Sequence, residues 1–350
     1  MWSVERATAW WDQQAWLVGC NFIPSTAVNQ LEMWQEATFD RLTIERELGW
    51  AAGLGFNVVR VYLHDLLWDQ DQKGFLERID CFLDLARDHK IGVVFVLFDD
   101  VWNTNPKPGP QPEPHPGRHN PAWVQSPGLP VLNRYSSDHA VAERLERYVS
   151  GIVSHYKEDD RVLVWDVYNE PGGFPSPGSE PVGDACLPLL RAVFDWARVS
   201  YPSQPLTSGL WLNPIQPVSP AIRALQLEGS DIVSFHHYGS AQELQALIDQ
   251  LRAETERPLL CTEYLARSLG NRFETQLPVF RKERVGAINW GLVSGKTQTI
   301  YPWWSWFDEE PKPEPEVWFH DILRSDGTAF DEAEAEFLRH ITNDTSDHSS

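Results

Sequence analysis

Eight short apolar runs recur along the chain: Trp16–Phe22, Asn57–Leu63, Ile91–Phe98, Val162–Tyr168, Pro205–Leu210, Ile232–Tyr238, Pro258–Tyr264 and Val285–Val293. Most are almost continuously apolar, as expected of parallel strands buried on both faces. Between them the period changes. In Gly74–Lys90, residues Phe75, Ile79, Phe82, Leu83 and Ala86 fall at helical spacing, and in Asp138–Tyr156 so do Val141, Leu145, Tyr148, Val149, Ile152, Val153 and Tyr156. Such stripes bury one face of a helix. The punctuation agrees: Ser219-Pro220 is a helix cap followed by proline at the first helical position, and Gly55 stands where a helix would stop. Strand and helix alternating eight times predict an α/β protein, one (β/α)8 TIM barrel with long βα loops spanning residues 1–342.

One insertion breaks the rhythm. Asn103 to Ser137, about residues 103–137, holds nine prolines between Pro106 and Pro130, a density that neither helix nor sheet interior accepts. Two readings stand, a disordered flap or a cover over a ligand that uses Trp102, His115, His119 and Trp123. The polar tail Asn343–Ser350 reads as disordered. Residues 1–20 carry Glu5, Arg6 and Asp12 and lack the apolar core of a signal peptide, and no uncharged run approaches the ~20 residues that span a bilayer. A cytoplasmic protein without membrane partners is the expectation. Cys20, Cys81, Cys186 and Cys261 show no CxxC spacing and read as reduced core thiols.

Charge narrows the partners. Of 350 residues, 29 are Lys or Arg and 50 are Asp or Glu, a net charge of -21, which argues against nucleic acid, whose phosphates require concentrated positive charge. The 17 tryptophans are the unusual number. Trp102, Trp123, Trp290, Trp303, Trp304 and Trp306 follow or end predicted strands, where aromatic faces can stack on sugars; Trp10, Trp11 and Trp196 do not.

In a parallel barrel the ligand lies at the C-terminal ends of the strands. Asn21 ends the first run, Arg60 lies in the second with His64 and Asp65 just beyond, and Asp99-Asp100 end the third. Asn169-Glu170-Pro171 follow the fourth, His236-His237-Tyr238 the sixth, Glu263-Tyr264 the seventh and Asn289-Trp290 the eighth. A single glutamate at a strand end is as readily a salt bridge or a cap. Two glutamates facing one small volume can divide the labour of glycoside hydrolysis, one protonated and one ionised.

The stretch Trp165-Asp-Val-Tyr-Asn169-Glu170-Pro171 resembles the Asn-Glu-Pro signature of glycoside hydrolase clan A, retaining β-glycosidases on (β/α)8 barrels. That clan includes the family 5 cellulases, mannanases and xylanases. The resemblance implies that Glu170 is the catalytic acid/base and Glu263 the catalytic nucleophile in hydrolysis of β-linked neutral glycosides. It also implies that Asn169 bonds the sugar 2-hydroxyl, that Arg60 supports the nucleophile, that His236 and Tyr238 form the strand-six pair, and that Trp290 is the floor beneath the sugar. Asn21, His64, Asp99, Asp100 and Trp102 are further candidates for substrate contact, with loop capping as the alternative for His64, Asp99, Asp100 and Trp102. Lys296 faces either the site or solvent. No metal or organic cofactor is expected: the first run has no histidine, and His115 and His119 read as surface residues. Transglycosylation, a carbohydrate-binding barrel without turnover and, more distantly, a metal-dependent sugar isomerase are the rival functions. The long loop after the third strand would block one end of a cleft and favour action on chain ends.

Overall fold

The eight apolar runs each contribute one strand to a single sheet in which every hydrogen-bonded neighbour is parallel. The computed structural model describes residues 1–173, 176–211, 218–308 and 310–343. The strands are β1 (Val18–Asn21), β2 (Val58–Tyr62), β3 (Gly92–Val96), β4 (Val162–Asp166), β5 (Leu206–Thr207), β6 (Val233–His236), β7 (Leu259–Glu263) and β8 (Gly286–Asn289). Their order, β5-β4-β3-β2-β1-β8-β7-β6, wraps into a ring. The gap between β5 and β6 is closed by a Leu210–Phe235 bridge and a 2.7 Å hydroxyl pair, Thr207 Oγ1 and Ser234 Oγ. This is the expected (β/α)8 barrel.

Helices follow each strand and cover the outside: Arg41–Gly53, Asp65–Asp88, His139–Tyr156, Leu187–Val199, Pro220–Gly229, Ala241–Glu254, Phe273–Lys282 and Glu332–Asn343. Ser219 caps Pro220–Gly229 as the sequence suggests, and Gly55 takes the left-handed φ of +84° just after Arg41–Gly53. The main apolar core lies between sheet and helices. A second cluster fills the barrel floor, where Leu17, Val58, Val94, Val164, Ile232, Leu260 and Ile288 meet Trp2 and Ala7. The helix Val4–Asp12 seals that floor, with Trp10 and Trp11 packed against it. Part of the tryptophan surplus therefore closes the end of the barrel opposite the strand termini.

The Pro-rich segment departs from expectation. Leu129–Tyr135 is a helix, made possible because Pro130 lies in its first turn, where a missing N–H costs nothing. The disordered-flap reading also falls. Asn29 Nδ2 donates to Ala122 O at 2.8 Å, Gln30 Nε2 donates to Val124 O at 3.0 Å, and the Asn120 N–H donates to Thr297 O at 2.8 Å. His119, expected at the surface, is buried; His115 is exposed as expected. Of the predicted tail, Asn343 ends a helix and the remainder lies outside the described residues. Cys20, Cys186 and Cys261 are buried free thiols, and Cys81 is half-buried. Among the described residues no helix is long and apolar enough to cross a membrane.

The last helix is anchored by a buried ion pair. Arg267 Nε donates to Glu334 Oε2 at 2.8 Å, and Arg267 Nη1 donates to the carbonyls of Trp318 and His320 at 3.2 and 3.1 Å. Removing one partner strands the other charge in the interior. Glu334→Ala is expected to lower unfolding free energy by ~3–5 kcal/mol in urea denaturation; a loss below about 1 kcal/mol, the worth of an exposed pair, would contradict this.

Candidate active site

Strand β2 turns alternate side chains inward, and the middle one is a guanidinium. Val58 lies in the floor, Arg60 above it and Tyr62 at the rim. Arg60 is fully buried, so its N–H groups must all find acceptors. Nε and Nη2 donate to Asp166 Oδ2 at 3.0 and 2.8 Å, and Nη2 also donates to Asn169 Oδ1 at 2.6 Å. Nη1 donates to Asn21 Oδ1 at 2.8 Å, to the Tyr62 hydroxyl at 2.6 Å and to Glu263 Oε1 at 3.0 Å. One cation thus joins β1, β2, β4 and β7. Asn21 extends the link, donating from Nδ2 to Thr262 O at 2.8 Å and to Asn289 O at 3.1 Å.

Glu263 reaches this cation through an irregularity. In regular alternation with Leu260, which lies in the floor, Thr262 and not Glu263 would face inward. The β6–β7 register shifts between Phe235 and His236, so His236 pairs with Glu263; such slips re-aim a side chain. Glu263 Oε1 then also accepts from the Tyr62 hydroxyl at 3.0 Å, and Oε2 accepts from the Tyr238 hydroxyl at 2.8 Å.

Glu170 sits in the turn after β4 with φ of +39°, a left-handed backbone that is strained for a residue with a Cβ. Asp100 holds the turn: its carboxylate accepts from the Tyr168 hydroxyl and from the Gly172 N–H, both at 2.8 Å. A Cβ on Gly173 would lie 2.6 Å from the Glu170 carbonyl, so the chain can pass there only as glycine. Glu170 Oε1 lies 2.7 Å from His236 Nδ1, which is itself 3.6 Å from Glu263 Oε2. One oxygen of each glutamate and one nitrogen of His236 all fall within 4.8 Å of one another, a set that a divalent cation could also bridge.

The environment separates the two carboxyls. Burial pushes Glu170 up to about 7, only partly offset by Arg60. Burial and the adjacent Glu170 raise Glu263 as well, but the Arg60 charge and the Tyr238 hydroxyl pull it back. Burial drives the Tyr62 and Tyr238 phenols well above 10, so both remain donors, and it lowers His236 to about 4, a neutral ring. Glu263 thus has a cation and a phenol donor that stabilise its anion, whereas burial holds Glu170 toward its protonated form.

A buried relay continues outward from Asn169. Its Nδ2 donates to Asp99 Oδ1 at 2.9 Å, and Asp99 Oδ2 accepts from Trp123 Nε1 at 2.7 Å. The Trp123 ring meets Tyr62 and Trp290 edge-on, at centroid distances of 5.0 and 5.6 Å.

Other barrels carry this architecture. Solved structures similar to the chain include a GH5_18 protein from Streptomyces cattleya in complex with Manβ1-4GlcNAc (TM-score 0.63, 15% identity, 95% of this chain and 82% of that one). They also include the endo-β-1,4-mannanase of Thermotoga petrophila (TM-score 0.59, 14% identity, 95% and 77%) and an exo-β-1,4-mannosidase from Opitutaceae bacterium strain TAV5 (TM-score 0.59, 18% identity, 94% and 60%). No protein-family model and no curated protein sequence matches the chain. The structural neighbours are GH5-type mannanases and mannosidases on TIM barrels, and at these identities the shared property is the fold.

The structure brings together Glu170, Glu263, Arg60, Asn169, His236, Tyr238 and Asn21 in one hydrogen-bonded group, with Asp99 and Trp290 against it. Asn21 spends its amide inside that group and positions Arg60. His64 does not join: its ring nitrogens meet Gln125 O at 3.0 Å and the Leu66 N–H at 3.2 Å, so it caps a helix and tethers the Pro-rich segment. Its substrate-contact role is corrected to this one. Lys296 is engaged by Glu32 Oε1 at 2.7 Å, and Trp102 stacks on Trp306 with centroids 5.2 Å apart. Sequence reading missed Asp166 and Tyr62. Both were within reach: an Asp in an apolar strand needs a buried partner, and Tyr62 is two residues from Arg60 and so on its face.

Carboxyl-selective NMR titration checks the electrostatics. Glu170 is expected to titrate near 7 and Glu263 below it. Tyr238→Phe should raise the Glu263 midpoint and Glu170→Gln should lower it; the opposite order of midpoints would contradict the assignment. Because the Glu170 carboxyl binds its proton more tightly folded than unfolded, its contribution favours the fold at low pH and is lost as pH rises through about 7.

Proposed function

We propose that the protein is a retaining β-glycosidase acting on neutral glycosides or oligosaccharides with its own side chains. The observation that carries the reading is the pair of carboxyls in the turn after β4 and at the end of β7, with an oxygen of each within 4.8 Å of the other, one pushed up to about 7 by burial and the other held by Arg60 and Tyr238. Inverting enzymes leave about 6.5–9.5 Å between carboxyls to admit a water, whereas retaining enzymes hold them about 5–5.5 Å apart.

The chemistry follows from which oxygen is free. Glu263 Oε1 is held by Arg60 and Tyr62, while Oε2 accepts one hydrogen bond among the described residues, from Tyr238, with His236 Nδ1 3.6 Å away. Oε2 attacks the anomeric carbon as the glycosidic C–O bond breaks, and Glu170 transfers its proton to the leaving oxygen. The result is a glycosyl ester on Glu263 and an ionised Glu170. Glu170 then removes a proton from water, the hydroxide oxygen bonds to the anomeric carbon, and the ester breaks to restore Glu263. Neutral His236 at 2.7 Å supports Glu170 without fixing its charge. Asn169, gripped by Arg60 and Asp99, offers its amide to the sugar 2-hydroxyl, a bond that strengthens as positive charge develops.

Two of the similar solved structures are a β-1,4-mannanase and a β-1,4-mannosidase, and a third was crystallised with a mannose-containing disaccharide, so β-mannosides are the first series to assay. Glu263→Gln is expected to abolish hydrolysis. In kcat/KM, Glu170→Gln should cost ~10²–10⁴-fold on substrates with poor leaving groups and far less on activated aryl glycosides, whose departure needs no proton; kcat should fall on both, because hydrolysis of the glycosyl ester loses its base. Activity should fall on the alkaline side with a midpoint near 7 as Glu170 loses its proton. Addition of a chelator should leave the rate unchanged. NMR of the first-formed anomer should show retention; inversion, or full activity in both variants, would overturn the reading.

A further inference from the structure

Just beyond β3, Asp99 is a carboxyl with almost no access to solvent. Its backbone is fixed on two sides, by an antiparallel bridge to Ser126 of the Pro-rich segment and a parallel bridge to Asn169. Donors surround its side chain. Oδ1 accepts from Asn169 Nδ2 at 2.9 Å and from the Val101 N–H at 3.2 Å, while Oδ2 accepts from Trp123 Nε1 at 2.7 Å and from Gln30 Nε2 at 3.4 Å.

None of the four can reverse its role. An indole N–H and a backbone N–H only donate. The two side-chain amides are fixed in the same sense by their other partners: Asn169 must turn its oxygen to the Arg60 guanidinium, and Gln30 its nitrogen to the Val124 carbonyl. Among the described residues Asp99 meets four donors and no acceptor, a set that suits the carboxylate and would oppose an O–H. Burial pushes this carboxyl up to about 7, and the Asn169 and Trp123 donors oppose the rise.

Asn169 is in this way clamped at both ends. Its oxygen belongs to Arg60 and one N–H to Asp99, and its second N–H has no acceptor among the described residues. Arg60 alone would not suffice, because one bond at Oδ1 leaves the amide free to turn about it. Asp99 stops that turn, and an indole from the Pro-rich segment holds Asp99.

We propose that Asp99, itself held by Trp123, is a positioning residue that aims Asn169 at the sugar 2-hydroxyl, so that the Pro-rich segment carries part of the preference for sugars with an oxygen at C2. This rests on the glycosidase reading and sharpens it at one position of the sugar. An oxygen at C2 accepts the remaining N–H. A 2-deoxy sugar forfeits that bond, which strengthens as the transition state forms.

The test follows from the donor count. Asparagine at position 99 keeps the shape of aspartate but has one acceptor atom where two sets of donors need one each. The shorter contact, to Trp123, is expected to hold that oxygen, which turns an NH2 group against Asn169. Nitrophenyl β-mannoside or β-glucoside, whichever is hydrolysed, is compared with their common 2-deoxy analogue. Asp99→Asn should lower kcat/KM ~30-fold on the 2-hydroxy substrate and less than about threefold on the 2-deoxy analogue. Trp123→Phe, which leaves Asp99 one bond short, should cost about fivefold on the 2-hydroxy substrate alone. In Asp99→Asn/Trp123→Phe the oxygen is free to return to Asn169, and kcat/KM should recover to about the level of Trp123→Phe. Asp99→Ala, which removes the acceptor without adding a donor, replaces Asp99→Asn if that variant misfolds, with the same selective loss expected. Equal losses on the two substrates, wild-type activity in Asp99→Asn, or a double variant no better than Asp99→Asn would overturn the positioning role and leave the glycosidase reading standing. Hydrolysis insensitive to Glu263→Gln would remove the glycosidase reading and the positioning role with it.

Discussion

Arg60 places a permanent positive charge at the centre of a barrel from which water is excluded. Taking a guanidinium out of water costs on the order of several kcal/mol unless its donors are all met. Asp166, Asn169, Asn21, Tyr62 and Glu263 meet them, and they come from four strands and one turn. The cation therefore fixes the mutual positions of those elements as much as any apolar contact does. It also bears unequally on the two carboxyls, since it donates directly to Glu263 and acts on Glu170 only from a distance. Both proposed catalytic roles descend from that asymmetry.

Around this centre, each strained or irregular feature has a group holding it. The register slip between β6 and β7 turns Glu263 inward, and Tyr62 and Tyr238 receive it there. The left-handed backbone at Glu170 is kept by Asp100 through Tyr168 and Gly172. Asp99 links the same region to Trp123, which belongs to the Pro-rich segment, so that segment and the strand-end turn are parts of one hydrogen-bonded body. The Trp123 indole and the Asn169 amide are two ends of one short relay.

The barrel was legible because strands buried on both faces leave continuous apolar runs, and because helices announce themselves by period and caps. Glu170, Glu263 and Arg60 stood out in combination, because the Asn169-Glu170-Pro171 stretch, a second strand-end glutamate and a buried arginine occur together where either glutamate alone would read as readily as a salt bridge or a cap. What escaped reading depends on pairing across the fold. The inward turn of Glu263 rests on a register slip that no local pattern reports, and the dual duty of His64 on a carbonyl 61 positions away. Proline density predicted irregularity in the segment 103–137 correctly over most of its length, but order there comes from partners such as Asn29, Gln30 and Ser305, which composition does not reveal. Trp10 and Trp11 were unassigned in sequence for a similar reason: only the closed barrel shows a floor for their helix to seal.

Covalent trapping tests the central claim most directly. In Glu170→Ala, an activated aryl β-glycoside can still form the glycosyl ester but has no base to drive its hydrolysis. Mass spectrometry of the intact protein and its peptides should then show one added glycosyl group, located on Glu263. Turnover of the same substrate with no adduct on Glu263, and with inverted configuration in the product, would contradict it.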